Sequence, residues 1–324
     1  MSERKPLISV VIPTYNSGAY VLDALVSALE QTYPHVEVIV VDDGSTDNTR
    51  QLLEPYRDRI AYVYQSNRGL SGARNAGISH ASGDWIAFLD ADDVWLPDKL
   101  QRQVDRLRDL PEAGLVHTDA AYLLGRTGRL QARPTPTPPF EGDCHLQLFG
   151  GNRIVVSSVI VRREWLERCG VFDESLRQAE DYDCWMRLAP HIAFAFVPET
   201  LVLYRLHDSN MSKDRRTLRS FEARVLDKAL CNDSLAVRLG SRTIQSRYAN
   251  LWFEVGYVGF DHGEFKEAHR AFARSLRYDW RRVHVWTLWG ATMLPGSVVR
   301  GLRRAKQRAI EILTPRIPPI RTAH

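Results

Sequence analysis

No CxxC spacing occurs among the four cysteines, Cys144, Cys169, Cys184 and Cys231, which argues against a zinc knuckle and for a reducing compartment. Long hydrophobic runs are missing too. No window reaches the roughly 18 uninterrupted apolar residues of a spanning helix. Met1–Pro6 is polar and Leu7–Ile12 is too short for the apolar region of a secretory signal, so the expected location is cytoplasmic. Charge of one sign is also scarce: 43 Lys and Arg face 39 Asp and Glu, a formal net charge of +4 over 324 residues, which gives no case for a nucleic-acid partner. What is present, 44% hydrophobic and 25% charged residues, suits a soluble chain with one large domain, or one plus a helical appendage.

Against this ordinary background, Trp85‑Ile86‑Ala87‑Phe88‑Leu89 is an apolar run fit for a buried strand, and it ends abruptly in Asp90‑Ala91‑Asp92‑Asp93. Crowded carboxylates lose hydration and repel one another, a cost that a hard, oxygen-preferring divalent ion removes. The competing reading is a solvated turn in which Asp90 and Asp92 cap a helix starting near Pro97. The same design occurs upstream, where Val36–Val41 runs into Asp42‑Asp43‑Gly44‑Ser45‑Thr46‑Asp47. In open parallel α/β sheets ligands bind beyond the carboxyl ends of the strands, where both acid clusters would fall.

The first part of the chain alternates strand and helix patterns. Strands are predicted over Leu7–Ile12, Val36–Val41, Ile60–Tyr64 and Trp85–Leu89. Between them, Leu22, Leu25, Val26 and Leu29 keep helical spacing, Ser45 or Thr46 is placed to cap a helix through Leu52 and Leu53, and a third helix covers Ser71–Ser82. This rhythm predicts an α/β fold with a doubly wound, mostly parallel, Rossmann-like sheet. A helix over Pro97–Leu110 follows, then the apolar stretch Leu115–Leu124. Pro134, Pro136, Pro138 and Pro139 mark an irregular loop, either a wall over an acceptor site or a surface excursion. Strands at Val155–Val161 and Leu201–Tyr204 bracket a helix carrying Glu180, Asp181, Asp183 and Trp185. From Leu218 onward the pattern is helical, giving an expected division into residues 1–215 and a helical region 216–324. There Trp252, Val255, Gly256, Ala268 and Phe272 fall in register with the tetratricopeptide pattern, with Gly259, Ser275 and Trp280 replacing its usual residues. One imperfect repeat cannot bury its own face, so this region is expected to pack on the rest of the chain, on a second copy or on a protein partner.

Five ordered segments now carry a resemblance: Pro13‑Thr14‑Tyr15‑Asn16, Asp42 to Asp47, Asn67 to Gly77 (NRGLSGARNAG), Asp90 to Asp93, and Glu180‑Asp181‑Tyr182‑Asp183. Over roughly residues 6 to 210 the chain resembles the family 2 inverting glycosyltransferases of the GT‑A fold. The resemblance implies a nucleotide-sugar donor, most often a UDP-sugar, a saccharide or lipid-linked acceptor in cell-surface polysaccharide synthesis, and Mn²⁺ or Mg²⁺. It assigns the nucleotide to Pro13, Thr14, Tyr15, Asn16 and Asp43, with Asp42 supporting the loop and Asp47 capping the next helix. Gly69, Arg74 and Asn75 join the donor site, since a glycine-rich loop approaches a ligand closely and Arg presents a planar fork to phosphate; a salt bridge from Arg74 to a neighbouring carboxylate is the competing role. Asp92 is implied as the metal ligand and Asp90 as its auxiliary, reaching ribose or metal-bound water, while Asp93 either binds sugar hydroxyls or is structural. The resemblance makes Asp181 the general base and Glu180 a donor or acceptor contact, with Tyr182 and Trp185 interleaved as an aromatic platform for sugars. In Tyr204‑Arg205‑Leu206‑His207, Arg205 is assigned to the donor and His207 to metal or diphosphate.

Two features leave room for other readings. Val283, Val285, Trp286, Leu288, Trp289, Met293 and Leu294 precede Arg300, Arg303, Arg304, Lys306 and Arg308, a mixture suited either to the inner face of an anionic plasma membrane or to a core hairpin with a solvated tail. Phe88 to Val94 also satisfies the signature of haloacid dehalogenase-like phosphatases, with Asp90 as nucleophile, although two acid or polar strand ends precede it here. A sugar nucleotidyltransferase would carry a glycine-rich loop after the first strand, where this chain has Thr14‑Tyr15‑Asn16. A catalytically silent nucleotide-sugar-binding scaffold is the non-enzymatic alternative, and the intact acid set speaks against it.

Overall fold

A computed structural model describes residues 5–125, 128–133, 139–208, 210, 214–231, 233–295 and 298–299. The chain forms two compact units, one of residues 1–213 and 224–238, the other of residues 214–223 and 239–324.

The first unit begins β1 (Ile8–Thr14), α1 (Val21–Leu29), β2 (Val36–Asp42), α2 (Thr49–Leu53), β3 (Ala61–Tyr64), α3 (Gly69–His80) and β4 (Trp85–Phe88). It continues with β5 (Val94–Trp95), α4 (Lys99–Asp109), β6 (Ala113–Leu124), β7 (Arg129–Ala132), α5 (His145–Phe149), β8 (Ile160–Arg162), α6 (Arg163–Cys169), α7 (Glu180–Leu188) and β9 (Ala193–Leu206). The sheet order is β3-β2-β1-β4-β8-β6-β9-β5, with β7 paired to β6. β1, β2, β3 and β4 are mutually parallel. Their sequences explain why: every residue of β1 is buried, as a strand covered by helices on both faces requires.

Alternate residues of β2 enter different clusters. Val38 and Val40 pack with Val10, Ile12, Ala24 and Leu25, whereas Ile39 and Val41 pack with Ala73 of α3. Gly77 lets α3 sit close on β1, because a Cβ there would lie 2.2 Å from Val11 Cγ1. Each fully buried Val or Ile in these clusters contributes about 1.5–3 kcal/mol.

Beyond β4 the sheet is mixed. β8 runs antiparallel to both β4 and β6, β6 is parallel to β9, and β5 and β7 pair antiparallel with β9 and β6. The strand–helix alternation that fixes direction through crossovers lapses after α4, so the mostly parallel sheet is uniformly parallel over its first four strands and gains short antiparallel pairings around the parallel β6–β9 pair beyond them. The strand expected over Val155–Val161 is also shortened to Ile160–Arg162, preceded by a tight 3₁₀ turn at Val156–Ser158. The Ser158 hydroxyl donates to the Val155 carbonyl at 2.7 Å, and Ser157 is drawn toward Asp93. Of the proline cluster, Pro134, Pro136 and Pro138 lie outside the described residues.

After β9 come α8 (Arg215–Leu230), whose first residues belong to the second unit and whose later ones belong to the first, and α9 (Asp233–Leu239). The second unit is helical: α10 (Ser241–His262), α11 (Phe265–Tyr278) and α12 (Val283–Ala291). Residues in the tetratricopeptide register do meet here. A Cβ on Gly256 would lie 2.5 Å from the Phe272 ring, and Gly259 faces Ala268. Phe260, Ala268, Phe272, Leu276, Val285 and Val299 form the unit's own core. Among the described residues no helix is long and apolar enough to cross a membrane.

Candidate active site

The ends of β1 and β2 are stitched together by polar side chains. Asn16, held at φ 50°, accepts the Thr46 N–H at 2.8 Å and the Asp47 N–H at 3.3 Å, and donates its own N–H to Ser45 Oγ at 3.0 Å. Asp47 accepts the N–H groups of Thr49 and Gly18, so it serves the start of α2, as expected. Asp42 accepts Ser45 N–H at 2.8 Å and the Tyr62 hydroxyl at 2.6 Å, a loop-supporting role. Asp43 accepts Gln65 Nε2 and the Arg68 and Gly69 N–H groups, all within 2.8 Å, and so fixes the approach to α3. Pro13 and Thr14 end β1 in buried positions, Tyr15 is half exposed, and the Thr14 hydroxyl has no partner among the described residues.

One buried cation joins the two distant acid motifs. Arg74, fully buried on α3, donates from Nη2 to Asp90 Oδ1 at 2.7 Å and from Nη1 to Glu180 Oε1 at 2.6 Å. Burial opposes its charge, but Asp90 and Glu180 prevail and hold it protonated beyond the usual arginine range. The salt-bridge reading of Arg74 is therefore the one the structure displays. Asn75 differs from expectation: its amide exchanges hydrogen bonds with the Phe172 backbone and reaches Glu174, so it anchors the 172–174 segment rather than presenting itself to a donor.

The remaining acids of the cluster separate by role. Asp92 Oδ2 lies 2.7 Å from His207 Nε2, and His207 stacks on Tyr20 at 5.0 Å. Burial and then the Asp90 charge push the Asp92 carboxyl up, while His207 opposes them. Asp93 is 1% exposed and accepts the Ser157 hydroxyl at 2.5 Å and the Arg205 N–H at 3.0 Å. Burial, then Asp92 and Asp90, raises its carboxyl well above the ordinary range. Its oxygens are committed to the protein, which selects the structural reading over sugar binding. Arg205 is likewise committed. Its Nε donates to the Asp92 carbonyl at 2.8 Å and its Nη2 to Asp23 at 2.7 Å, with the guanidinium over Tyr20, so the fork assigned to the donor instead ties the cluster to α1. Neither Asp90 nor Asp92 caps α4, whose first turn has no side-chain cap.

α7 starts after Ala179, a non-glycine residue at φ 60°. Backbone held in the left-handed region costs about 1–3 kcal/mol and persists where surrounding contacts over-determine it. Asp181, in the first turn, is half buried; its Oδ2 accepts Asn152 Nδ2 at 2.9 Å and its Oδ1 accepts the Tyr182 N–H at 2.7 Å. Burial, then Glu180, pushes its carboxyl up to about 7, with Arg74, the Tyr182 N–H and Asn152 opposing. Asp183 is spoken for by Arg187 at 2.9 Å and Lys228 at 2.5 Å. Tyr182 and Trp185 are buried, Tyr182 donating to the Leu148 carbonyl and Trp185 packing among Phe88 and Phe172. They belong to the core, which removes them as a sugar platform.

Sequence reasoning missed Ser157, Asn152, Tyr20 and Asp23, residues that hold the acids in place. None sits in a motif, and each meets its partner only through the fold. Among the described residues no group of three His, Cys, Asp or Glu side chains converges as a metal site. The donor chemistry of Asp90, Asp92 and His207 nonetheless fits Mn²⁺ or Mg²⁺: hard carboxylate oxygens, one of them on a carboxyl destabilised by burial and a like charge, beside an imidazole.

Comparison with known proteins bears on the family and the fold. A family profile described as "Glycosyl transferase family 2" matches residues 9–170, and one described as "Glycosyltransferase like family 2" matches residues 143–238. The chain is 46% identical over 225 residues to the Bacillus subtilis protein named "Putative teichuronic acid biosynthesis glycosyltransferase TuaG", covering 66% of this chain and 85% of that one. It is 28% identical over 265 residues to an uncharacterized glycosyltransferase of Rickettsia typhi, covering 78% and 82%. It spans about a third of the length of several other rickettsial relatives. Among solved structures, the mannosyltransferase PcManGT of Pyrobaculum calidifontis in complex with GDP-Man and Mn²⁺ superposes with a TM-score of 0.59 at 19% identity, over 91% of this chain and 87% of that one. Staphylococcus aureus TarS 1–349 in complex with UDP-GlcNAc gives 0.58 at 17% identity, over 88% and 90%. These two likenesses concern the fold, which is of the GT‑A kind. The acid clusters at the strand ends, the GT‑A sheet that presents them and the matching profiles lead to one conclusion: the chain belongs to the family 2 glycosyltransferases.

Proposed function

We propose that the chain transfers a sugar, with inversion, from a nucleoside-diphosphate sugar to a hydroxyl of a saccharide or lipid-linked saccharide, in the synthesis of a cell-surface polysaccharide. The observation that carries this reading is the double ion pair of Arg74, which ties Asp90 of the donor-side cluster to Glu180, the neighbour of Asp181. The acceptor O–H proton passes to Asp181, a bond forms from that oxygen to the anomeric carbon, and the bond from that carbon to the diphosphate oxygen breaks. Asp181 suits the task because a base is most effective with a pKa near the working pH. Asp92, with Asp90 and His207, is the set that would hold Mn²⁺ or Mg²⁺, whose charge offsets that developing on the departing diphosphate. Tyr15 and the Asn16 and Asp43 loops form the nucleotide end in this reading. Support for the substrate class comes from relatives: one is named for teichuronic acid biosynthesis, and two fold neighbours bind UDP-GlcNAc and GDP-Man. A phosphatase nucleophile at Asp90 finds no such support, with its carboxylate held by Arg74.

The test is thermal stabilisation by UDP-, GDP- and dTDP-sugars with and without Mn²⁺. A bound donor at about 100 times its dissociation constant adds about 2.7 kcal/mol. Metal-dependent stabilisation by one nucleotide class, lost in Asp92→Ala, is the expected result; stabilisation by none of the panel, with hydrolysis of simple phosphate esters, would overturn the reading.

A second proposal concerns the helical unit. Trp280, Val283, Trp286, Met293 and Leu294 are exposed there, and the sequence that follows carries Arg300, Arg303, Arg304, Lys306 and Arg308, which lie outside the described residues. Exposed aromatics beside cationic sequence suit the anionic inner face of a membrane, where a lipid-linked acceptor would reside.

A further inference from the structure

The segment between α5 and β8 belongs to none of the family-like motifs, yet it touches both halves of the site. At one end Asn152 donates from Nδ2 to Asp181 Oδ2 at 2.9 Å, while its own Oδ1 accepts the Ile154 N–H at 3.0 Å. Five residues later, Ser157 donates its hydroxyl to Asp93 and accepts the Asp90 N–H at 3.1 Å. Gly151, at φ 139°, immediately precedes Asn152 in a backbone region that side chains rarely adopt. The amide of Asn152 is therefore oriented by its own backbone neighbour before it meets the carboxylate, and its oxygen and nitrogen are assigned without ambiguity by these two partners.

We infer that Asn152 is a positioning residue, which fixes the orientation of the Asp181 carboxylate and, through the short path to Ser157, holds it in register with the Asp90–Asp93 cluster. The inference rests on the reading of Asp181 as base. Each Asp181 oxygen receives one protein donor, Asn152 on Oδ2 and the Tyr182 N–H on Oδ1, and a carboxylate has about four lone-pair sites, so capacity remains for an acceptor hydroxyl. Among the described residues, the charged and titratable groups around Asp181 include Glu180 and Cys184 on α7 and Arg74 from α3. Of the other helices packed on α7, α5 offers the Leu148 carbonyl to Tyr182 and α6 offers the Cys169 carbonyl to Arg187. Among the described residues Asn152 is the side chain that donates a hydrogen bond to Asp181, and a donor to a carboxylate favours its charged form.

Two variants test the inference, Asn152→Ala, which deletes the donor, and Asn152→Asp, which keeps the shape and substitutes a like charge. Carboxyl-carbon NMR of the full chain labelled at aspartate Cγ follows the titration directly, and Asp181→Asn identifies the resonance that titrates near neutrality. Both Asn152 variants are expected to move that titration upward, on the order of one pH unit for the alanine. Release of nucleoside diphosphate from UDP-N-acetylglucosamine and GDP-mannose is assayed alongside. Turnover of Asn152→Ala is expected to fall about 5-fold at pH 7 with little change in donor KM, and to recover toward wild type at pH 9, where the base is deprotonated regardless. An Asp181 titration unmoved in both variants overturns the inference, whether or not turnover falls. Full turnover in Asp181→Asn overturns the base assignment instead, so the two failures are distinguishable.

Discussion

Two side chains decide how the site behaves. Arg74 has no solvent and two carboxylates, so its removal leaves Asp90 and Glu180 facing an uncompensated pocket. Breaking a buried ion pair from one side costs about 3–5 kcal/mol, and Arg74→Ala is expected to lose that much in urea denaturation. Arg74→Lys should not restore the arrangement, because one ammonium cannot present a fork to two carboxylates at once. Asp181 makes a different prediction. Asp181→Asn is expected to cut turnover by ~10² to 10⁴ while leaving donor-induced thermal stabilisation intact. The wild-type kcat/KM profile should rise with pH through about 7, where the carboxyl loses its proton. The sign for stability follows. The folded carboxyl holds a proton that the unfolded one has released, so between the ordinary aspartate range and about pH 7 the native state loses stability as pH rises. Asp181→Asn should therefore raise Tm at pH 8 relative to wild type and have little effect at pH 4; an equal change at both values would mean that the buried charge is not its cause.

At the level of elements, α3 does the joining, and its sequence explains how. Gly77 packs against Val11 with no room for a methyl group, while Ala73 rests on Ile39 and Val41, so the helix is pressed onto β1 and β2 with Arg74 fixed between strand end and α7. Gly77→Ala is expected to cost about 1–3 kcal/mol through overpacking and, by lifting α3, to lower turnover more than it lowers Tm-corrected donor binding, which parallel thermal and kinetic measurements would show. Much of this was legible in the sequence. Apolar runs gave β1, β2 and β4, the latter two with acids at their ends, and the pattern over Ser71–Ser82 gave α3, because buried parallel strands and close-packed helices leave periodic signatures. The two-residue β5 and the exposed β7 leave no such pattern. Long-range choices were equally hidden. Nothing local to Arg205 says that its fork turns to Asp23, and nothing in Tyr182 or Trp185 says that these aromatics are buried rather than presented to a sugar.

For the whole molecule, the two units raise separate questions. The first holds the acid cluster, the sheet edge and α7, the elements on which the proposed chemistry rests. The second is a helical unit with a core of its own around Phe272, and its outward apolar side chains are not needed for that core: Val283 is 76% exposed and Trp280 68%, whereas Val285 between the helices is fully buried. The contrast between Val283 and Val285, within one turn of α12, permits a test that spares the fold. Trp280→Ser with Val283→Ser removes exposed apolar surface and should leave Tm within about 2–4 °C of wild type, since surface changes stay within about ±0.5 kcal/mol each. If the unit docks on lipid, the full-length protein should sediment with vesicles containing phosphatidylglycerol but not with phosphatidylcholine alone. Binding should weaken as salt rises from 50 to 500 mM, because the Debye length shrinks, and the double variant should bind less at every salt concentration. Vesicle binding indifferent to both changes would remove the membrane proposal, and a concentration-dependent dimer abolished by the same substitutions would transfer that apolar surface to a second copy of the chain.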